Sequence, residues 1–178
     1  MNNTEAELFE LCRNGDRRGQ RLLFDHFITP MTRIALRYSG DSETSKDIVI
    51  ESFTKVFENI RSFEYRGEGS LRAWITRIVI NQSLMAARKN SRWIFTDAMT
   101  VDHIDTSSVE DDIAAEELFS LIQTLPGGCR LVFNMYVIEG YSHDVIADVM
   151  KISVGTSRSQ LAYARKLLKE KINGRERR

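Results

Sequence analysis

From Leu8 to Ile172 apolar residues recur every three or four positions, and the recurrence lapses at length only over residues 91–110. A three-to-four period is the signature of amphipathic helices, not of strands, which alternate every second residue. Only 2 prolines stand in 178 residues, so little prevents those helices from being long. Hydrophobic residues make up 42% of the chain, enough for a core. The lapse contains TDAMTVDHIDTSSVEDD, acidic and polar, with the marks of a flexible connector. The expected fold is therefore all-α: two small helical domains, 1–93 and 112–178, joined by a flexible acidic linker over 94–111.

The formal net charge is +0, which looks wrong for a nucleic-acid partner, but the distribution is not neutral. Residues 61–92 hold seven Lys/Arg against two acids, and 151–178 hold nine against two. Residues 97–117 hold eight acids and no Lys or Arg. Phosphate binding depends on local charge, so two basic modules separated by an acidic connector remain compatible with DNA.

In the first module a short helix is expected over 4–14, with Thr4 as its cap and Gly15 at its end. A longer one over 17–38 contains Pro30, which should kink it or mark a join. The next, 43–60, turns Ile48, Val49, Phe53, Val56, Phe57 and Ile60 inward and leaves Asp47, Glu51, Thr54, Lys55 and Glu58 outside. A loop, RSFEYRGEGS, then leads past Ser70, a potential cap, into a helix over 71–89. Leu71, Trp74, Ile75, Ile78 and Val79 form its apolar face, while Arg72, Arg77, Asn81 and Arg88 project elsewhere. Aromatic rings among arginines beside a basic helix suit single-stranded nucleic acid, whose unstacked bases need a surface to stack on. Trp74 reads as core; Phe63 fits a core position and a stacking position equally.

The second module is expected to hold four helices. Periodicity returns at Ile113, Leu118, Leu121, Ile122 and Leu125, Pro126 and two glycines break it, and a helix over 130–139 ends at Gly140. Residues 140–172 then read as two helices about a tight turn. Ser142 caps the first, with Asp144 in its first turn, where a carboxylate complements the helix dipole. Val145, Ile146, Val149 and Met150 form its apolar stripe. Lys151, Ile152 and Ser153 make the turn. The second helix sets Val154, Leu161, Ala164, Leu168 and Ile172 on one side, with Arg158, Gln160, Arg165, Lys166 and Lys169 largely off it. This is the outline of a helix-turn-helix reader of the DNA major groove, the plainer alternative being a helical hairpin with a charged outer face.

Catalytic chemistry finds no foothold. Cys12 and Cys129 fit no metal or redox spacing and read as reduced core residues. His26, His103 and His143 are scattered, with no nucleophile–base or metal-ligand spacing. The chain is expected not to be an enzyme and to need no cofactor, metal or small-molecule substrate. It has no apolar run of about 18 residues, and its first residues, MNNTEAELFE, lack the apolar core of a signal peptide. A cytoplasmic location is expected.

Taken in order, DIVIESFTKVFENI, a loop with Phe and Gly, WITRIVIN, a connector, LPGGCRLVFNMYVIEGYSHDVIADVM and a basic helix resemble an extracytoplasmic-function sigma factor of the sigma-70 family. The resemblance spans about residues 5–172. It implies that domain 1–93 is sigma region 2, which binds core polymerase and the −10 element, and that domain 112–178 is region 4, which reads the −35 element. The family's D-L-V-Q-E-x-F helix docks on the polymerase clamp. It corresponds here to Asp47 through Phe53, so Asp47, Ile50, Glu51, Thr54 and Lys55 are the implied polymerase contacts. The implied −10 contacts, where a base is flipped out and the duplex melts, are Phe63, Arg66, Ser70, Arg72, Arg77 and Asn81. The implied −35 contacts are Thr156, Arg158, Ser159, Gln160 and Arg165. Core RNA polymerase, promoter DNA and an anti-sigma factor are the implied partners.

Several positions depart from the family pattern. Ile50 replaces a Gln. Lys151 stands at a turn position usually held by Gly, where a left-handed conformation costs roughly 1 kcal/mol. Ser157 replaces a buried Val. Gln160 and Tyr163 stand where Arg is common, which removes cationic contacts and flattens the salt dependence of binding. The two promoter elements lie about two turns of DNA apart, each roughly 34–36 Å. Residues 94–111 can span on the order of 60 Å when extended, at up to about 3.6 Å per residue. The competing function is a stand-alone helix-turn-helix regulator with an N-terminal sensor, which would have no use for the arginine and aromatic segment over 63–81.

Overall fold

The computed structural model describes residues 4–89 and 113–175, and every regular element among them is helical. The expected linker over 94–111 lies outside the described residues, as does His103. The chain divides into two compact units, Met1–Leu36 with Glu43–Ser83, and Arg37–Ser42 with Leu84–Arg178.

In the first unit, α1 is Glu5–Arg13 and opens on a complete capping box: Thr4 accepts from the Glu7 amide, and the Glu7 carboxylate accepts from the Thr4 amide. Helix α2, Arg17–Ser39, runs through Pro30 as one helix, not as two joined segments. Proline denies a donor to the carbonyl of His26, but His26 is exposed, where water can replace it. Helix α3 is Ser42–Asn59, continued by a 3-10 turn, Ile60–Ser62. Helix α4 is Ser70–Lys89. Leu8, Phe9, Leu23, Phe27, Met31, Ile48, Val49, Phe53, Val56, Leu71, Ile75 and Val79 are buried. The phenylalanines of α2 and α3 meet edge-on, Phe24 to Phe53 at 4.8 Å. Helices α1 and α2 approach so closely at Gly19 that a Cβ there would lie 2.4 Å from Leu11 Cβ and 2.9 Å from the Leu11 carbonyl carbon.

In the second unit, α5 is Ile113–Gln123 and α6 is Gly127–Phe133, continued by a π turn, Asn134–Ile138. Helix α6 starts three residues before the expected 130, because Pro126 itself serves as the N-cap and its missing N–H costs nothing there. Arg130 is buried and donates Nη1 to the carbonyls of Gln123 and Leu125 at 3.1 and 3.2 Å, which fastens the end of α5 to α6. Burial lowers its pKa to about 10, so it stays charged at neutral pH.

Helix α7, His143–Met150, and α8, Val154–Arg175, complete the unit. Ser142 caps α7 by accepting from the Val145 amide, as expected. Lys151 takes the left-handed conformation, φ 56° and ψ 42°. Ser153 accepts from the Thr156 amide at 2.9 Å and caps α8. Ile146, Met150, Leu161, Ala164 and Leu168 are buried, while Val145 and Ile172, expected on the same stripes, are 43% and 42% exposed.

Candidate nucleic-acid interface

The first unit carries a cleft of about 700 Å³ between the end of α3, the loop 63–69 and the face of α4. That volume lies within the roughly 300–1,000 Å³ of small-molecule sites. Phe63, Ala73, Trp74 and Ile78 give it an apolar floor, and Lys55, Arg66 and Arg77 bring cations to it. Phe63 stacks on Trp74 with ring centroids 4.5 Å apart and planes at 20°. Trp74 is therefore not the sealed core residue its helical position implies: it is half-buried and lines the cleft.

The loop is held from both sides. Gly67 and Gly69 have φ of 111° and 84°, which residues with a Cβ rarely adopt. Ser70 does not cap α4 with its side chain. Its hydroxyl accepts from the Arg66 amide at 3.2 Å and donates to the Gly67 carbonyl at 2.6 Å, which closes the loop on itself. From the other side, α1 supplies Glu5, whose carboxylate accepts from the Gly69 amide at 2.8 Å. It also supplies Phe9, stacked on Tyr65 at 5.4 Å and edge-on to Phe63 at 5.8 Å. Partial burial and the nearby carboxylates of Glu5 and Glu68 raise the Tyr65 pKa.

Of the residues expected at the −10 element, Phe63, Arg66, Ser70 and Arg77 line this cleft, and Arg72 and Asn81 are exposed elsewhere on α4. Lys55, expected at the polymerase, lines it as well, together with Asn59, Ser62 and Glu64. Asp47, Ile50, Glu51 and Thr54 are all exposed and recur along α3 at helical spacing; Ile50, at 60% exposure, stands apolar among them. Phe9 and Glu5 carry no local signal that would tie them to a loop some 60 residues downstream. Trp74 had one: it is a large aromatic next to a basic loop.

On α8 the expected contacts differ in freedom. Arg158 is exposed and makes no ion pair among the described residues. Thr156 and Ser159 are exposed but locally engaged, Thr156 Oγ1 with Ser153 Oγ at 2.8 Å and Ser159 Oγ donating to the Thr156 carbonyl at 3.0 Å. Gln160 is turned inward, its Oε1 buried without a partner among the described residues. Arg165 lies over the Tyr136 ring at 6.0 Å. Tyr136 stacks on His143 at 4.4 Å, and His143 Nδ1 meets the fully buried Ser157 hydroxyl at 2.8 Å. Ser157 thus replaces apolar packing with a polar link between α7 and α8, and His143 is half-buried in that link, not a free surface group.

A basic, aromatic-floored cleft on one helical unit and a capped helix-turn-helix on another are the features expected of a DNA-binding protein. The comparisons with known proteins are specific. Residues 23–92 match Sigma-70 region 2, and residues 115–168 match Sigma-70, region 4. An ECF RNA polymerase sigma-E factor of Haemophilus influenzae is 30% identical, with 95% of each chain covered. That of Escherichia coli is 28% identical over 95% of this chain and 94% of its own. A solved structure titled "Structure of CnrH in complex with the cytosolic domain of CnrY" aligns over 94% of this chain and 96% of that one, at 19% identity and a TM-score of 0.48. The chain belongs to the extracytoplasmic-function sigma factors of the sigma-70 family. Such factors are not a family of catalytic enzymes; they direct RNA polymerase to promoters. No helix among the described residues is long and apolar enough to cross a membrane, and none of their His, Cys, Asp and Glu side chains form a metal-binding group of three.

Proposed function

We propose that this chain binds core RNA polymerase through the exposed face of α3, captures an unstacked −10 base in the cleft and reads the −35 element with α8. Asp47, Ile50, Glu51 and Thr54 meet the polymerase. Phe63, Arg66, Ser70 and Arg77 hold the −10 strand at the cleft, with Lys55 between the two surfaces and Arg72 and Asn81 contacting the strand beyond it. Arg158 and Arg165 reach the −35 bases and phosphates, with Thr156, Ser159 and Gln160 beside them. The working domains are 1–93 and 112–178, joined by 94–111. The protein acts in the cytoplasm without catalytic activity of its own, and an anti-sigma factor that covers the α3 face or α8 would silence it.

The observation that supports this reading best is the cleft. Its floor offers aromatic and aliphatic surface to a base, and its cations are placed for the strand's phosphates. A ligand sensor has no need of cations on long flexible stems around an open apolar floor. Run-off transcription with core polymerase, this protein and a promoter library tests the reading. Promoter-dependent product is expected. Core binding with no product on any template would sink it, and failure to bind core would favour the stand-alone regulator.

A further inference from the structure

We infer that Tyr136 and His143 are positioning residues for −35 recognition: stacked on each other, they hold Arg165 over the Tyr136 ring and so present its guanidinium to the duplex. The inference rests on the −35 reading above and adds to it the residues that aim one of its contacts.

An arginine on a helix surface is loosely aimed. Its long stem samples many rotamers, and a contact with DNA must freeze them. Arg165 is exposed on α8 and makes no ion pair among the described residues. Its guanidinium instead lies over the Tyr136 ring, 6.0 Å from the centroid, at the outer reach of a cation–π contact. A guanidinium kept there has less freedom left to lose on binding.

Tyr136 must itself be held, because it stands on the π turn and is 36% exposed. Its ring stacks on the His143 imidazole at 4.4 Å, with the planes at 22°. His143 is the first residue of α7, and its Nδ1 meets the Ser157 hydroxyl at 2.8 Å. Ser157 is fully buried in the first turn of α8, so it fixes the imidazole from inside. The series therefore begins and ends on α8. Ser157 and Arg165 stand eight residues apart there, about 12 Å at 1.5 Å per residue. A polar pair near the start of the helix thus steadies a cation two turns further along it. If the stack served only to tie α7 to α8, apolar side chains would cover the ring; here a cation lies over it.

The test uses core polymerase loaded with the full chain and a fluorescent duplex carrying the −35 element recovered from the promoter library. Binding is read by anisotropy for Tyr136→Phe, Tyr136→Leu, His143→Asn and Arg165→Ala. Tyr136→Leu and His143→Asn are also each combined with Arg165→Ala. Tyr136→Leu is expected to bind about threefold more weakly, the size of one exposed cation–π contact. Tyr136→Phe keeps the ring and should bind as the unaltered protein does. His143→Asn keeps a polar group for Ser157 but removes the ring beneath Tyr136. It should also weaken binding, by no more than Tyr136→Leu does. Combined with Arg165→Ala, neither change should weaken binding further.

If Arg165→Ala binds as the unaltered protein does, Arg165 is no −35 contact, and that part of the proposed function fails together with the inference. If Arg165→Ala weakens binding but Tyr136→Leu does not, the contact stands and the positioning is refuted. If Tyr136→Leu costs the same factor with and without Arg165, Tyr136 acts by another route and the inference is overturned. A loss in Tyr136→Phe equal to that in Tyr136→Leu, or an equal loss on the −10 single strand, overturns it too. If His143→Asn changes nothing, the part assigned to His143 is refuted.

Discussion

In the proposed function, the cleft over 55–78 and the outer face of α8 handle the same polymer by opposite means. The cleft is concave, floored with rings, and its polar side chains are mostly satisfied by its own backbone. The α8 face is convex, and its arginines extend from a helix that needs no ligand to keep its shape. A concave ring-lined site fits a base already out of the stack. A convex row on a rigid helix fits bases still paired, read from the groove. In that proposal the two divide into a reader of open strand and a reader of duplex, and shape makes the division.

The largest break in this contrast should come from Gly19→Ala. The added methyl drives α1 away from α2 and withdraws Phe9 and Glu5 from the loop they hold. A loss of about 3 kcal/mol, the upper end for overpacking, is expected in denaturant unfolding of the first unit. Duplex −35 binding should persist at temperatures where that unit stays folded.

Next is Trp74→Ala, which removes the ring beneath Phe63. Single-stranded −10 binding should weaken by about 2 kcal/mol, within the range for one base–aromatic stack. Affinity for a −35 duplex should not change, and an equal loss on both probes would mean the variant is misfolded rather than blunted.

Arg158→Ala sharpens the other side. If Arg158 reaches a base edge, discrimination between −35 sequences should fall by about 1–2 kcal/mol in competition binding, with no effect on the single strand. A uniform loss across sequences would mark it as a phosphate contact.

The smallest effect belongs to Lys151→Gly. Relief of the left-handed conformation should stabilise the second unit by about 1 kcal/mol, less the small contribution of the exposed pair with Asp148, 2.8 Å away. The hydrogen bond and charge of Lys151 lower the Asp148 pKa. What the pair contributes is thus present above the ordinary carboxylate range and lost as pH falls through it. The advantage of the glycine variant should grow on acidification below about pH 4, as thermal melts at two pH values would show.

How much of this was legible in the sequence follows from the range of the interactions involved. Helix positions and the Thr4, Ser142 and Ser153 caps are set within four residues, and the apolar period and cap chemistry expose them; the left-handed turn at Lys151 was legible only through the family resemblance. Val145 and Ile172 show where period alone fails, since an apolar residue at the right angle is buried only if a neighbour covers it. The start of α6 was readable in principle, because Pro126 marks a beginning as readily as a break. Trp74 was placed in the core by its angle, although the loop beside it keeps half of it open. The roles of Phe9 and Glu5, and the pairing of His143 with Ser157, arise only when distant segments meet, and no local pattern records them.

The bracing of loop 63–69 has a consequence for how such a protein diversifies. Its backbone is fixed by Glu5 on the Gly69 amide, by Ser70 on the Arg66 amide and the Gly67 carbonyl, and by the Phe9 ring. Glu64 and Arg66 take no part in that bracing through their side chains, and both are 77% exposed. Exchanges at these two positions therefore leave the stability of the domain nearly untouched, within the roughly ±0.5 kcal/mol of ordinary surface sites. The side chains that line the cleft and the groups that hold the loop are different atoms of one short segment, so the lining can change by single substitutions without passing through an unstable intermediate.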